Sequence, residues 1–142
     1  MIHYSAPPLR EFAERLLPSS GGSTTLAEGI VTADCSVPEV ADCVFRLRRL
    51  RFAAGDSTGW HYHPGTLYVI VEWGQLHYYQ ADGVSRTYRA GDAFLEPAGP
   101  GNIHCGTTPA HGGARLLVLY VLPKRTTTIS IPTEPPEPWS ST

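Results

Sequence analysis

The spacing of apolar residues changes period along the chain. Leu9, Phe12, Ala13, Leu16 and Leu17 form a helical stripe that begins behind Pro7-Pro8 and ends at Pro18-Ser-Ser-Gly-Gly. This predicts a short amphipathic helix, packed as a lid or edge cover. From Val44 the period falls to two, and short β-prone runs follow at 44–52, 67–72, 75–80, 86–88, 93–96, 103–105 and 115–122. Turn signals such as Ala54-Gly-Asp, Trp73-Gly, Ala81-Asp-Gly, Ala90-Gly-Asp and His111-Gly-Gly separate them. Strands so short and so regularly punctuated, with no helix between them, predict an all-β sandwich or barrel and disfavour a parallel α/β sheet. One more edge strand is expected within 124–131, and the proline-rich stretch from Pro132 reads as an extended, solvated tail. The expected organisation is thus a helix and extended arm over 1–43, a barrel over 44–131 and a tail over 132–142. Trp139 is expected to be disordered with the terminus, docking into a neighbouring subunit being the alternative.

A chain of 142 residues has room for one hydrophobic core. Its 14 glycines and 13 prolines, without a period, agree with many turns between short strands. A formal net charge of -2 gives neither nucleic acid nor an anionic membrane a reason to bind, so a small-molecule partner is the default. Residues 1–20 lack the charged and apolar regions of a signal peptide, and the longest apolar run, 116–122, is too short to span a bilayer; a soluble, cytoplasmic protein is expected. Cys35, Cys43 and Cys105 form no C-x-x-C pair and are read as reduced thiols, although Cys35 and Cys43 are near enough in sequence to meet across a loop.

The chemistry concentrates in two segments. In the first, His61 and His63 sit two residues apart on an extended stretch after Gly55, which points both imidazoles to one face. In the second, Gly91, Pro97 and Gly99 precede His104 at the start of another β-prone run. Together they resemble the two motifs of the cupin family, G-x5-H-x-H-x3-E-x6-G and G-x5-P-x-G-x2-H. Gly55, His61, His63 and Gly74 fall at the first spacing, and Gly91, Pro97 and Gly99 at the second. The resemblance spans roughly 45–123. It implies a double-stranded β-helix, a jelly-roll barrel, whose mouth holds one divalent metal ion on His61, His63 and His104, and a homodimer.

Two departures matter. Leu67 occupies the position of the family's glutamate ligand, and four residues rather than two separate Gly99 from His104. Three neutral imidazoles would leave the ion its full formal charge and open positions that favour chelating anions. Imidazole suits Fe, Ni, Zn, Mn and Cu alike, with Fe the first choice for oxygen chemistry. Glu72 is expected to face solvent by strand alternation. Glu96, at a strand end before Pro97, is assigned to the pocket, and the sequence decides neither for nor against its place beside the ion.

Leu67, Val69 and Val71 share the parity of the histidines and predict an apolar pocket wall. In 44–52, alternation puts Arg46 and Arg48 on one face and Arg49 and Arg51 on the other. A solvated edge strand explains four arginines most simply, whereas an inward pair would clamp a substrate carboxylate, so Arg46 and Arg48 join the pocket candidates. Trp60, Tyr62 and Cys105 should point away from the metal, and His77 and His111 are minor candidates. Three functions are compatible with this pattern. The first is a metal-dependent oxygenase acting on a chelating anionic or enolisable substrate, which three-histidine cupins imply by resemblance. The others are a non-redox Lewis-acid isomerase, cyclase or lyase, for which no general base is evident, and a binding cupin without turnover.

Overall fold

The computed structural model describes residues 22–140; the helix expected at 9–17 lies outside them. Nine strands are found among the described residues: β1 (Gly22–Ile30), β2 (Cys43–Phe52), β3 (His61–Tyr62), β4 (Thr66–Gln80), β5 (Ser85–Arg89), β6 (Ala93–Glu96), β7 (His104–Thr107), β8 (Ala114–Pro123) and β9 (Ile131–Pro132). They curl into an antiparallel barrel in the order β1-β2-β8-β4-β7-β3-β9, with β5 and β6 also on β4. No helix is long and apolar enough to cross a membrane among the described residues.

The runs expected at 67–72 and 75–80 are one strand. β4 pairs with β6 and β8 over its first half and with β5 and β7 over its second, so it belongs to both walls. Between the halves the register with β8 shifts at Val71/Trp73, and Gly74 adopts φ 79°. The glycine that looked like a turn is a kink inside a continuous strand, because a bulge increases local twist without ending the ladder.

Alternating residues of the central strands fill the interior. Leu67, Val69, Val71, Leu76, Tyr78, Leu116, Val118, Tyr120 and Leu122 are buried together, and Phe94 stacks on Tyr88 with centroids 4.0 Å apart. Each such side chain contributes about 1.5–3 kcal/mol by leaving water.

Several sequence expectations change. The stretch read as an extended arm is strand β1, paired along β2 from Gly22↔Arg51 to Ile30↔Val44. β2 therefore lies between two strands and is not an edge, which removes the solvated-edge explanation of its arginines. Glu72 is not solvent-facing: its carboxylate accepts from Arg49 Nε at 2.8 Å and lies 3.5 Å from Arg115 Nε, with Arg115 only 2% exposed. Arg49 shares the outer face of Leu117 and Ile70, so Glu72 meets it on the face that alternation assigns and is covered there by side chains of neighbouring strands. In the tail, Trp139 donates its indole N–H to Gln80 O at 2.7 Å and packs against Trp60 and Tyr79. One hydrogen bond and two aromatic contacts offset the entropy that would otherwise leave a terminus unordered. Of the edge strand sought in 124–131, only the two-residue β9 forms, next to β3.

Candidate metal centre

His61 and His104 are directly paired across β3 and β7, and His63 follows β3 by one residue. Cross-strand partners share a face, so the two predicted segments deliver their imidazoles to one point. Ligand atoms of His61, His63 and His104 all lie within 4.8 Å of one another, and all three residues are buried.

Each ring is fixed by a backbone carbonyl. His61 Nδ1–H donates to Gly59 O at 2.8 Å, His63 Nδ1–H to Ile129 O at 2.6 Å, and His104 Nδ1–H to Asn102 O at 2.8 Å. A carbonyl only accepts, so in each neutral imidazole the proton sits on Nδ1 and the Nε2 lone pair faces the shared centre. The two extra residues before His104 account for one of these bonds. Residues Pro100–Asn102 form a single 3-10 turn after Gly99, whose own N–H donates to His63 O at 2.8 Å, and that turn presents the Asn102 carbonyl. The departure from the motif orients the ligand it follows. Tyr78 stacks against the His104 ring at 5.3 Å.

Glu96 completes the cluster. Its Oε2 lies 2.9 Å from His63 Nε2 and 3.1 Å from His104 Nε2. It is the register partner of Leu67, the residue standing where the family motif has its carboxylate. Directly opposed residues of an antiparallel pair have Cβ atoms roughly 5 Å apart, so a carboxylate on β6 reaches the region that a glutamate on β4 would have reached.

Neither His63 Nε2 nor His104 Nε2, both buried, has a hydrogen-bond partner, and both face an oxygen that is an acceptor as well. Acceptors this close require a cation or a proton between them. Three lone pairs and one carboxylate oxygen form a donor set that fits a divalent ion such as Fe, Ni, Zn, Mn or Cu.

Without an ion, protons take that role. Burial pushes the Glu96 carboxyl up, but hydrogen bonding to His104 and His63 outweighs it and holds the group down at about 2. Burial lowers His104, yet the Glu96 carboxylate beside it leaves it raised overall. His61 is lowered to about 4, chiefly by burial, with its bond to Gly59 opposing and the neighbouring imidazoles adding to the fall. The sign for the metal-free protein follows. A depressed His61 stabilises the fold above its unfolded value of 6.5 and loses that contribution as pH falls towards 4, a loss of about 3 kcal/mol. Glu96 adds a similar loss only below 4.5, while the raised His104 contributes below 6.5 and fades above it. Denaturant unfolding of chelator-stripped protein should therefore show stability dropping between pH 6.5 and 4, and a His61→Asn variant should flatten that drop.

The cluster opens into a cavity of about 380 Å³. Leu67, Val69, Leu116 and Val118 supply apolar wall, and Tyr120 and Arg48 supply polar groups. Arg48 Nη1 donates to the Tyr120 hydroxyl at 3.4 Å, and its Cζ lies 5.4 Å from the Tyr120 ring centroid. Burial raises the Tyr120 hydroxyl, with Arg48 opposing, so it stays protonated near neutral pH. Arg46 does not line the cavity; it pairs with Glu28 at 2.6 Å. His77 faces Gln75 and Thr87, His111 is exposed, and Cys105 lies against Ser57, all away from the cluster. Tyr120 was not singled out from the sequence, although it continues the inward parity of Leu116 and Val118. Ser23, on the cavity rim, carries no sequence signal.

The family model described as a cupin domain matches residues 48–120, just over half of the chain. No curated protein matches the sequence. Among solved structures, a cupin superfamily protein from Desulfitobacterium hafniense shares 17% identity over 86% of this chain and 94% of its own, with a TM-score of 0.58. A cupin-like protein from Thermotoga maritima shares 18% over 80% and 75%, with a TM-score of 0.59. The DMSP lyase DddQ from Ruegeria pomeroyi shares 21% over 64% of this chain, with a TM-score of 0.56; the chain spans 44% of the lyase's length. At these identities the likeness is one of fold.

Proposed function

Since the chain belongs to the cupin family, we propose that it is a metal-dependent enzyme in which His61, His63, His104 and Glu96 hold one divalent ion beside a pocket for a small chelating organic anion. The observation that carries this reading is the convergence of three fixed imidazoles within 4.8 Å of one another, two of them with Nε2 against a Glu96 carboxylate oxygen.

The reaction we assign first is oxygenation, with Fe(II) as the metal. When bound, the ion would supply a Lewis-acid centre and, as iron, one able to use O2. The chain's own contribution is to hold the rings in one tautomer and to exclude water with Leu67, Val69 and Val118. Glu96 gives support to a second reading, non-redox isomerisation, cyclisation or elimination, because it places a carboxylate where the sequence offered no base. Oxygen uptake by iron-loaded protein over a panel of small diketones and thiol carboxylates separates the two. Uptake with iron and none with zinc is expected; full turnover by zinc-loaded protein without oxygen would overturn the oxygenase assignment.

The reading includes a cytoplasmic homodimer. The three free cysteines fit a reducing compartment. β1 ends the strand order among the described residues, with Leu26 and Ile30 exposed, and Tyr68, Ile70 and Leu95 form an exposed apolar patch on the outer wall. Light scattering should return the mass of two chains.

A further inference from the structure

Arg48 and Arg51 of the β2 arginine series both line the metal-side cavity without a carboxylate partner among the described residues, and Arg48 is the one bonded to Tyr120. Arg46 pairs with Glu28, Arg49 with Glu72, and Arg51 Nη1 donates to Thr24 Oγ1 at 3.0 Å. Arg48 donates instead to two hydroxyls, Tyr120 through Nη1 and Ser23 through Nη2, both neutral groups. These contacts aim a planar fork of donors and leave some of its five N–H groups free. Arg48 is half-buried in a cavity that also holds Asp56 and Glu96, and neither carboxylate is bonded to it among the described residues, so its guanidinium remains available to an incoming anion.

Tyr120 links this group to the metal centre. Its ring centroid lies 5.4 Å from Arg48 Cζ and 6.2 Å from the His63 ring, so the aromatic ring is a floor between the two. Its hydroxyl accepts from Arg48, and its own proton has no acceptor within reach among the described residues. A fork of N–H donors and an O–H donor on one side of a cavity match the two oxygens of a carboxylate.

We propose that Arg48 and Tyr120 form a carboxylate subsite facing the metal centre, so that the substrate is a small organic acid with its carboxylate on Arg48 and a second donor group at the histidines. The proposal rests on the reading of this cavity as the substrate site, and it narrows the substrate from any chelating anion to a carboxylic acid that need not use its carboxylate on the ion. A cavity of about 380 Å³ admits an acid near the lower end of ordinary ligand sizes. Neutral diketones and enols without an acid group would leave Arg48 unpaired.

Benzoate and its neutral isostere benzamide are the probes, measured by calorimetric titration of the full chain both as purified and after chelator treatment. Benzoate is expected to bind in both preparations, with benzamide at least tenfold weaker. Arg48→Met should weaken benzoate at least tenfold, Arg48→Lys should weaken it less, and Tyr120→Phe should weaken it a few-fold. Chelator treatment should leave benzoate binding unchanged. That preparation separates the subsite from the metal reading: loss of metal with benzoate retained leaves the subsite standing by itself. Benzoate binding that survives Arg48→Met, is lost on chelator treatment, fails in the unmodified protein or is matched by benzamide overturns the proposal. If Arg48→Met does not fold, the comparison is carried by Arg48→Lys, whose affinity must fall because the ammonium lacks the planar fork.

Discussion

A His61→Ala/His104→Ala variant is expected to emerge from purification without metal, whereas the unmodified chain should carry about one divalent ion per barrel. The expectation follows from the number and state of the donors. The three imidazoles converge within 4.8 Å, and each is held by a carbonyl in the tautomer that exposes Nε2. Removing two of them leaves His63 and Glu96, which is too few to compete with water and buffer for the ion. The loss should exceed the ~10–100-fold that changing an outer-shell partner costs. Glu96→Gln should be the intermediate case, with the site intact in shape but without its negative charge. Elemental analysis checks all three proteins, and equal metal content in the double variant would sink the site. Since the Glu96 carboxylate makes His104 hold its proton more firmly when metal is absent, metal loading should release more acid as the pH is lowered, measurable as buffer-dependent heat.

The second large effect concerns the backbone. Gly74→Ala is expected to lower stability by about 3 kcal/mol or more, and to weaken metal retention in whatever protein still folds. Gly74 has φ 79°, and a Cβ there would lie 2.1 Å from Gly113 O and 2.9 Å from Ala114 Cα, all backbone that cannot rotate away. Gly91→Ala is the control. It shares the left-handed conformation, φ 93°, but a Cβ would meet nothing within 4 Å, so only the backbone strain of about 1–2 kcal/mol applies. The metal should respond because β4 holds Glu96 through Leu67 on one side of the kink and His104 through Gln80 on the other. Equal melting temperatures for the two variants would show that the close approach at Gly74 does not matter.

How much of this was legible in the chain depends on where each signal lives. His61, His63 and His104 stand out because glycines at fixed offsets mark the turns that precede them, and such local punctuation survives in one dimension. Strands β6 and β8 were visible because burial alternates along them. β1 was not, since every residue from Gly22 to Ile30 is exposed and its Ser, Thr and Glu carry no alternation. Trp139 escaped because a proline-rich tail carries no sign of the surface it will meet, here Trp60 and Tyr79. The cover over Glu72 was missed because Arg49 and Arg115 come from strands distant in the chain, and β4 was split because Trp73-Gly carries the signature of a turn although the strand runs through it.

The pairing of Leu67 with Glu96 has a consequence for how such sites evolve and are searched for. In a barrel a ligand position is a location on an inner surface, and two chain positions about thirty residues apart can share it. A functional group can thus be handed from one strand to its neighbour by two substitutions, with no change in the loops or the topology. Inventories that score a metal centre by its spacing in the string would record a lost ligand where the surface has merely changed its supplier. Leu67→Glu with Glu96→Leu is the corresponding exchange, and sequences related to this one need be compared at both addresses before any is counted as lacking its acid.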